Sequence, residues 1–405
     1  MPESPTVAGV PVPDVPDLAR MHRDRPAKLR AEMERAGVDA LLLLGTNNVS
    51  YATGALAPGT DSSRALFARP VSLLTRDGTV RLHTPYPDGV PDDFPADQVH
   101  PAVFPEFDEG AAELAAIVAE HVTPGGRLAC DDMTHAMGGH LSDWEVVGAS
   151  SVLGGAKVCK TADEVACIRR AQSINEAAMR DVLPHVRPGV RQSDLTAVFL
   201  RRIHELGASS NGIDPIWQPM PPTLAAGPWT THGGVAFPTA SSDRFLREGD
   251  VVWVDSGIGW RGYASDFGRT WIVSDDPRPT ARQRAQFERW SAVMEATLDR
   301  VKPGASALEL ARAAIEANGG TRPWAEHFYL AHGVGTDSAE MPLIGTDLGE
   351  QFDERLVLAP GMVLVLEPII WDDGAAGYRS EDIYAVTDDG WLALSEFPFD
   401  PYTAR

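Results

Sequence analysis

Two stretches of this chain share one pattern, and each ends on an acid that an apolar strand does not ordinarily carry. Residues 246–255 (LREGDVVWVD) match residues 358–367 (LAPGMVLVLE): a glycine turn, an apolar run, then Asp255 in one copy and Glu367 in the other. Each copy is followed by a second embedded acid, Asp266 and Glu381. A carboxylate buried among apolar side chains costs several kcal/mol unless a cation compensates it. Two half-domains related by pseudo-symmetry, each delivering two carboxylates to one centre, are therefore expected. Between Asp255 and Asp266 the glycine-rich residues 257–262 can turn the chain back, so the two acids are expected to meet across paired strands, with Cβ atoms about 5 Å apart where they sit opposite. Glu367 and Glu381, with Gly374 and Gly377 between them, repeat the arrangement.

Two carboxylates so close cannot both stay ionised without a cation; one is protonated, or a metal sits between them. His332 lies in a glycine-rich stretch (residues 331–335, AHGVG) and supplies a neutral imidazole. Four carboxylates and one imidazole suit manganese, iron, cobalt or zinc and argue against copper or a thiolate site. The three cysteines, Cys130, Cys159 and Cys167, are too few and too unpatterned for a disulfide framework.

The remaining sequence bounds the partners. With 57 acidic and 35 basic residues the formal net charge is -22. Such a surface repels nucleic acid and anionic lipid, so neither is expected as a partner. No apolar run approaches the ~20 residues that span a bilayer. The first 17 residues lack a basic and then apolar leader, and a cytoplasmic protein is expected.

A chain of 405 residues fits two domains. Residues 1–20, rich in proline, are expected as an extended, poorly ordered lead-in. Residues 21–158 are expected as an α/β domain: a helix over 27–37, a buried strand over 40–44, a hairpin of 71–74 with 80–83 across Asp77 and Gly78, and a helix over 111–121. A boundary near 154–160 leads into an α+β domain over 159–405. Its helices are expected from Thr161, over 193–206, 281–301 and 306–318, and its strands over 251–254, 270–273, 362–369 and 381–386.

These motifs resemble a known family. Residues 254–257 (VDSG) and 262–270 (GYASDFGRT) look like the metal-binding strands of the pita-bread metallopeptidases, which include methionine aminopeptidase, prolidase, aminopeptidase P and the metal-free creatinase. Residues 332–335 (HGVG), 360–368 (PGMVLVLEP) and 378–382 (YRSED) match the remaining motifs in order. Residues 40–44 and 47–51 resemble the N-terminal domain of the creatinase and prolidase branch. The resemblance implies two divalent ions, manganese first among those above. Asp255 would chelate one and His332 the other, Asp266 and Glu381 would bridge, and Glu367 would ligate while acting as base toward water. It also implies a short-peptide or small-molecule substrate and a homodimer. Because all five ligands are present, a metal-free mechanism is not expected.

The match weakens where substrate is held. Peptidases of this kind carry a histidine seven residues after the ligand histidine; here Ala339 stands there, followed by Glu340. A second histidine, in a Leu-Pro-His segment, is replaced by Phe237, Pro238 and Thr239. Losing such a partner typically costs about 10²–10³ in rate. His232 could substitute from a shifted position as a catalytic residue, or be a structural loop histidine. Trp229, within an aromatic and proline-rich region with Trp217, Pro219, Pro221 and Pro222, and Glu340 are candidate substrate contacts. Arg379 could bind a substrate carboxylate or pair with a ligand acid. Three functions stay open: a hydrolase of Xaa-Pro peptides or a related C–N bond, a C–N or C–S lyase or ring-opening hydrolase of a small metabolite, and a metal-binding protein without catalysis. Since Asp266 would bridge, Asp266→Ala should remove both ions; elemental analysis that still found two would overturn the ligand assignment.

Overall fold

The computed structural model describes residues 5–57, 68–221, 223, 230–231, 234–235, 243–372, 374 and 376–400. Contacts divide the chain into one unit of residues 16–157 and a second of residues 1–15 with 158–405. The second unit opens with β1 (Thr6–Val7) and β2 (Val10–Pro11), an antiparallel pair. Ala8 and Gly9 turn between them at positive φ, and the Gly9 N–H donates to Asp388 Oδ2 at 2.8 Å. The lead-in, expected as extended and poorly ordered, is extended over these residues but held in place, by a tight turn and by a carboxylate distant in sequence.

In residues 16–157, α1 (Leu18–Ala36) starts at Asp17, whose side chain accepts the Arg20 N–H, and stops at Gly37 with φ 66°. It begins well before the helix expected from residue 27. An interior proline normally costs about 3 kcal/mol, so Pro26 hid the first turns. The helix nevertheless continues through it, burying Met21, Leu29 and Met33. The strands β3 (Ala40–Leu43), β4 (Val71–Thr75), β5 (Val80–His83), β6 (Val99–His100), β7 (Arg127–Cys130) and β8 (Glu145–Gly148) form one sheet in the order β6-β5-β4-β3-β7-β8. Alternate residues of β3 face opposite sides. Leu41 and Leu43 pack with Leu29, Met33, Val49 and Val152, which come from α1, α2 (Thr46–Thr53) and α5 (Ser150–Val158). Ala40 and Leu42 pack with Leu114 and Val118 of α3 (Asp108–Ala119) and Met137 of α4 (Met137–His140). A mixed sheet covered on both faces by helices results, an α/β unit.

The second unit is built twice over. Its first half runs α6 (Ala162–Val182), α7 (Gln192–Glu205), β9 (Ser210–Pro219), then β12 (Val251–Trp260) and β14 (Phe267–Ile272). Between these lie the short pairs' strands β10 (Thr230–Thr231), β11 (Gly234–Val235) and β13 (Tyr263–Ala264). The second half runs α8 (Ala281–Leu298), α9 (Ala307–Ala317), β15 (Ala331–Gly333), then β17 (Val363–Leu366) and β20 (Asp382–Val386). It adds β16 (Glu340–Ile344), α10 (Glu350–Arg355), β18 (Ile369–Trp371), β19 (Gly377–Arg379) and β21 (Trp391–Ala393). Capping boxes open α6 at Thr161 and Glu164, α8 at Thr280 and Gln283, and α9 at Ser306 and Glu309. In the first half β12 lies between β9 and β14; in the second, β17 lies between β15 and β20.

The repeat read in the sequence reappears in backbone hydrogen bonds. Gly249 N–H donates to Val273 O at 2.8 Å and Val273 N–H to Asp250 O at 2.8 Å. Gly361 N–H donates to Val386 O at 2.9 Å and Val386 N–H to Met362 O at 2.8 Å. Two strand expectations need correction. The strand expected to end at Asp255 continues to Trp260, placing Asp255 mid-strand. The single strand expected over 362–369 is two, because Glu367 and Pro368 interrupt it and proline cannot donate to a ladder.

Gly249 and Gly361 share a left-handed conformation, with φ of 81° and 88°, but not their surroundings. A Cβ at Gly249 would meet nothing within 4 Å, whereas one at Gly361 would lie 2.3 Å from the Lys160 carbonyl oxygen. Gly249→Ala should therefore cost about 1 kcal/mol from backbone strain alone. Gly361→Ala should cost at least twice that in urea unfolding, and equal costs would contradict the crowding.

Candidate metal centre

Asp255 reaches the centre from the middle of β12. The chain reverses at Arg261 and Gly262, both at positive φ (53° and 81°), as a two-residue hairpin requires. The pairing that follows sets Asp255 opposite Gly268 and Ser256 opposite Phe267. Asp266 is therefore displaced by two residues from the partner of Asp255, a diagonal neighbour on the same face, so the two acids meet across the paired strands without being directly opposed. In the second copy Leu366 pairs with Asp382, and that register leads directly to Glu367 opposite Glu381.

Gly268 joins the two copies. Its carbonyl accepts the Glu381 N–H at 3.1 Å. A Cβ there would lie 2.5 Å from Glu381 Oε1 and 2.6 Å from Arg379 Nη1, so only glycine leaves room for both side chains. Alongside, the Arg379 N–H donates to Thr270 Oγ1 at 2.9 Å, and that hydroxyl donates to Arg379 O at 2.6 Å. Arg269, fully buried, donates to Glu381 O at 2.6 Å, to Asp382 Oδ1 at 2.8 Å and to Phe397 O at 2.6 Å.

These restraints gather ligand-type oxygens of Asp255, Asp266 and Glu381 within 4.8 Å of one another. His332, on β15, turns Nδ1 to the Gly333 carbonyl at 2.9 Å. If Nδ1 carries the proton, Nε2 keeps its lone pair for a ligand. Nε2 lies 3.3 Å from Asp266 Oδ2 and 3.4 Å from Glu367 Oε1. Arg379 closes the cluster, donating to Asp255 Oδ2 at 3.1 Å, to Glu367 Oε2 from Nη2 at 2.6 Å and Nε at 3.2 Å, and to Glu381 Oε2. Its guanidinium also lies over the Trp253 ring, 4.4 Å from the centroid.

Four carboxylates face one guanidinium, a formal surplus of three negative charges among buried groups. Asp255 Oδ1, Glu367 Oε1 and Glu381 Oε1 are buried without a hydrogen-bond partner among the described residues. Burial first, then the charges of Asp255 and Glu367, push the Asp266 pKa well above the ordinary carboxylate range. Burial also raises that of Glu381, although Arg379 works against it. Burial opposes the charge on Arg379, but Glu381, Glu367 and Asp255 prevail and hold its pKa well above the usual value. Hard divalent cations fit such a set, since they take carboxylate oxygens and imidazole together and cancel the surplus charge.

The centre opens into a cavity of about 260 Å³. Its walls include Ile213, Phe328, Tyr329, Ser338 and Ala339 beside the acids, His332 and Arg379. Of the candidate substrate contacts, Glu340 is held by Lys160 Nζ at 2.6 Å, and Arg379 is occupied by the acids just named. Trp229, His232, Phe237, Pro238 and Thr239 lie outside the described residues. Sequence reading missed Phe328 and Tyr329 as cavity walls. It also missed Gly268, for which a glycine beside buried Arg269 in an apolar strand was the available signal.

Residues 166–388 match the family model described as metallopeptidase family M24, and residues 25–153 match the creatinase/prolidase N-terminal domain. Over 245 residues the chain is 29% identical to an Xaa-Pro dipeptidase of Pyrococcus furiosus, covering 59% of this chain and 64% of that protein. The match therefore spans just under two thirds of that relative's length. A dimethylsulfoniopropionate lyase of Roseobacter denitrificans is 24% identical over 420 residues, covering 96% of this chain and 88% of the lyase. Among solved structures, the prolidase of Pyrococcus horikoshii superposes with a TM-score of 0.72 at 22% identity, covering 92% of this chain and 98% of that one. The second unit has the pita-bread fold.

Raised carboxylate pKa values mean that the metal-free chain holds extra protons as pH rises above the ordinary carboxylate range. Their stabilising contribution is full below that range and is lost as pH climbs through the folded values. Cations bound near neutral pH should displace those protons. Calorimetry in buffers of different ionisation enthalpy should register proton release, diminished in Asp266→Asn; a buffer-independent heat would contradict it. Gly268→Ala should leave the fold standing and weaken metal affinity at least ten-fold, as measured by competition with a chelator.

Proposed function

The chain belongs to metallopeptidase family M24, and we propose that it is a dinuclear-metal-dependent hydrolase cleaving the C–N bond of an Xaa-Pro peptide or a related small substrate. The observation that carries this reading is the buried surplus of negative charge at Asp255, Asp266, Glu367 and Glu381, with three oxygens left without hydrogen-bond partners among the described residues. An uncompensated cluster of this kind would be strongly destabilising.

In this reading Asp255 holds one divalent ion, His332 the other, and Asp266 and Glu381 serve both. Manganese, iron, cobalt and zinc all suit the donors. Such ions, when bound, polarise a substrate carbonyl and make water a nucleophile at neutral pH. Glu367 is suited to accept the water's proton: Arg379 restrains its Oε2 with two hydrogen bonds, while Oε1 makes none with the described residues. Arg379 fixes the acids and moderates their repulsion. Ile213, Phe328 and Ala339 give the cavity an apolar wall that limits water around the reacting bond.

One observation favours a second reading, a lyase or ring-opening reaction on a small metabolite. Ala339, a methyl side chain, lines the cavity where peptidases of this kind place a histidine. The full-length likeness to a lyase points the same way. An Xaa-Pro peptide panel with protein reconstituted in Mn²⁺, Co²⁺ or Zn²⁺ separates the two, with Glu381→Ala as the blank. Metal-dependent release that vanishes in the blank supports the peptidase; no release from protein shown to hold two ions rejects it in favour of the second reading. If peptide is cleaved, Ala339→His should raise kcat/KM by about ten-fold or more, by restoring a donor to the scissile amide.

A further inference from the structure

The hairpin that carries Asp255 and Asp266 is interrupted where Asp266 enters it. β12 pairs with β14 as far as Ser256 opposite Phe267, and with β13 from Gly259 opposite Ala264. Both pairings follow one register, yet Ser265 and Asp266 belong to neither β13 nor β14. The ladder changes character between them. The Ser265 N–H donates to Ile258 O at 2.9 Å, but the Ile258 N–H donates to the Ser265 hydroxyl at 3.1 Å, where an unbroken antiparallel ladder would use the Ser265 carbonyl.

An opened ladder leaves buried backbone groups to be satisfied from elsewhere. Asn175, on α6, does so from the far side of the hairpin. Its Nδ2 donates to Ser256 O at 2.9 Å and to Ser265 Oγ at 3.0 Å, while its Oδ1 accepts from Ser256 Oγ at 2.9 Å. A carbonyl oxygen only accepts, so the Ser256 contact fixes which end of the amide is nitrogen. Asn175, Ser256 and Ser265 are all fully buried. Ser256 follows Asp255 and Ser265 precedes Asp266, so one amide spans the two strands one residue away from each acid. Among the described residues Asn175 bonds these flanking serines and neither acid. α6 grips the hairpin again three turns earlier, where the Tyr263 hydroxyl donates to Glu164 Oε1 at 2.9 Å.

We propose that Asn175 is a positioning residue of the metal centre, fixing the backbone separation of Asp255 and Asp266 and thereby the ion that Asp255 holds. The inference rests on the ligand assignment proposed above, in which Asp255 serves one ion and His332 the other. His332 stands on β15, and Glu367 and Glu381 flank β17 and β20, elements of the other half that Asn175 does not bond. Loosening the hairpin therefore acts first on the ion of Asp255 and spares that of His332.

The test is manganese binding by the full chain, read as ions per chain after dialysis against dilute Mn²⁺ and as affinity in competition with a chelator. The wild type should hold two ions. Asn175→Ala should hold one, the second returning only at higher Mn²⁺ with its affinity lowered about ten-fold. Ile203→Ala, a truncation on α7 in the same apolar core, lowers stability without removing a bond to the hairpin and should keep both ions. Ser265→Ala removes the hydroxyl that serves both Asn175 and Ile258, and should reproduce the loss of one ion even if Asn175→Ala does not fold. A wild type with two ions, beside folded Asn175→Ala or Ser265→Ala unchanged in number and affinity, would overturn this proposal alone. Equal losses in Ile203→Ala would also overturn it, by making the effect one of general stability. A folded wild type that holds no ion would overturn the ligand assignment and this inference with it.

Discussion

A single guanidinium among four buried carboxylates is the constraint on which the second unit depends. Arg379 bonds to Asp255, Glu367 and Glu381, three acids from three different strand segments. It offsets one of four formal negative charges, and protons on the acids or bound cations offset the remainder. Burial first, and then repulsion among the acids, raise the Asp266 and Glu381 pKa values, and divalent cations would offset both. Affinity for hard cations and reluctance to stay empty have one electrostatic origin.

The repeat explains why the acids meet at the seam between halves. Each half supplies a glycine turn and a strand that leads into the centre, and β14 of one half is stitched to β19 and the start of β20 of the other. The stitching uses Gly268, Thr270 and Arg269, which sit in consecutive or near-consecutive positions on one strand. Arg269 does at the backbone what Arg379 does at the side chains: it satisfies carbonyls and Asp382 in a region where water cannot. Burial raises the Asp382 pKa to about 6 despite that arginine.

Around the acids, the walls differ from what a peptidase of this family resemblance would lead one to expect. Ala339 is an apolar side chain at a wall, and Glu340 is engaged by Lys160. Phe328 and Trp253 carry the apolar character away from the acids into a neighbouring cavity. The chain is similar to relatives named as a dipeptidase and as a lyase, and one fold can host unlike reactions.

The sequence alone determined the acids and the histidine, because a charge inside an apolar run is conspicuous and the repeat doubled the signal. It also determined the first three strands of the first unit's sheet and the starts of the helices at Ala162, Gln192, Ala281 and Ala307, since capping boxes and apolar spacing are local. What only the tertiary structure decided are matters of long-range register. Asp255 and Asp266 are diagonal because the turn falls at Arg261 and Gly262, and a shift of two residues in a hairpin keeps a side chain on its face while changing its partner. Arg269 meets the Glu381 backbone across 112 residues, a contact no local pattern encodes. The same holds for Arg379, whose sequence position allowed either a substrate or an acid as partner. Its bonds run to Asp255 124 residues away and to Glu367 12 residues away, so their geometry follows from the closure of two half-domains and not from either one.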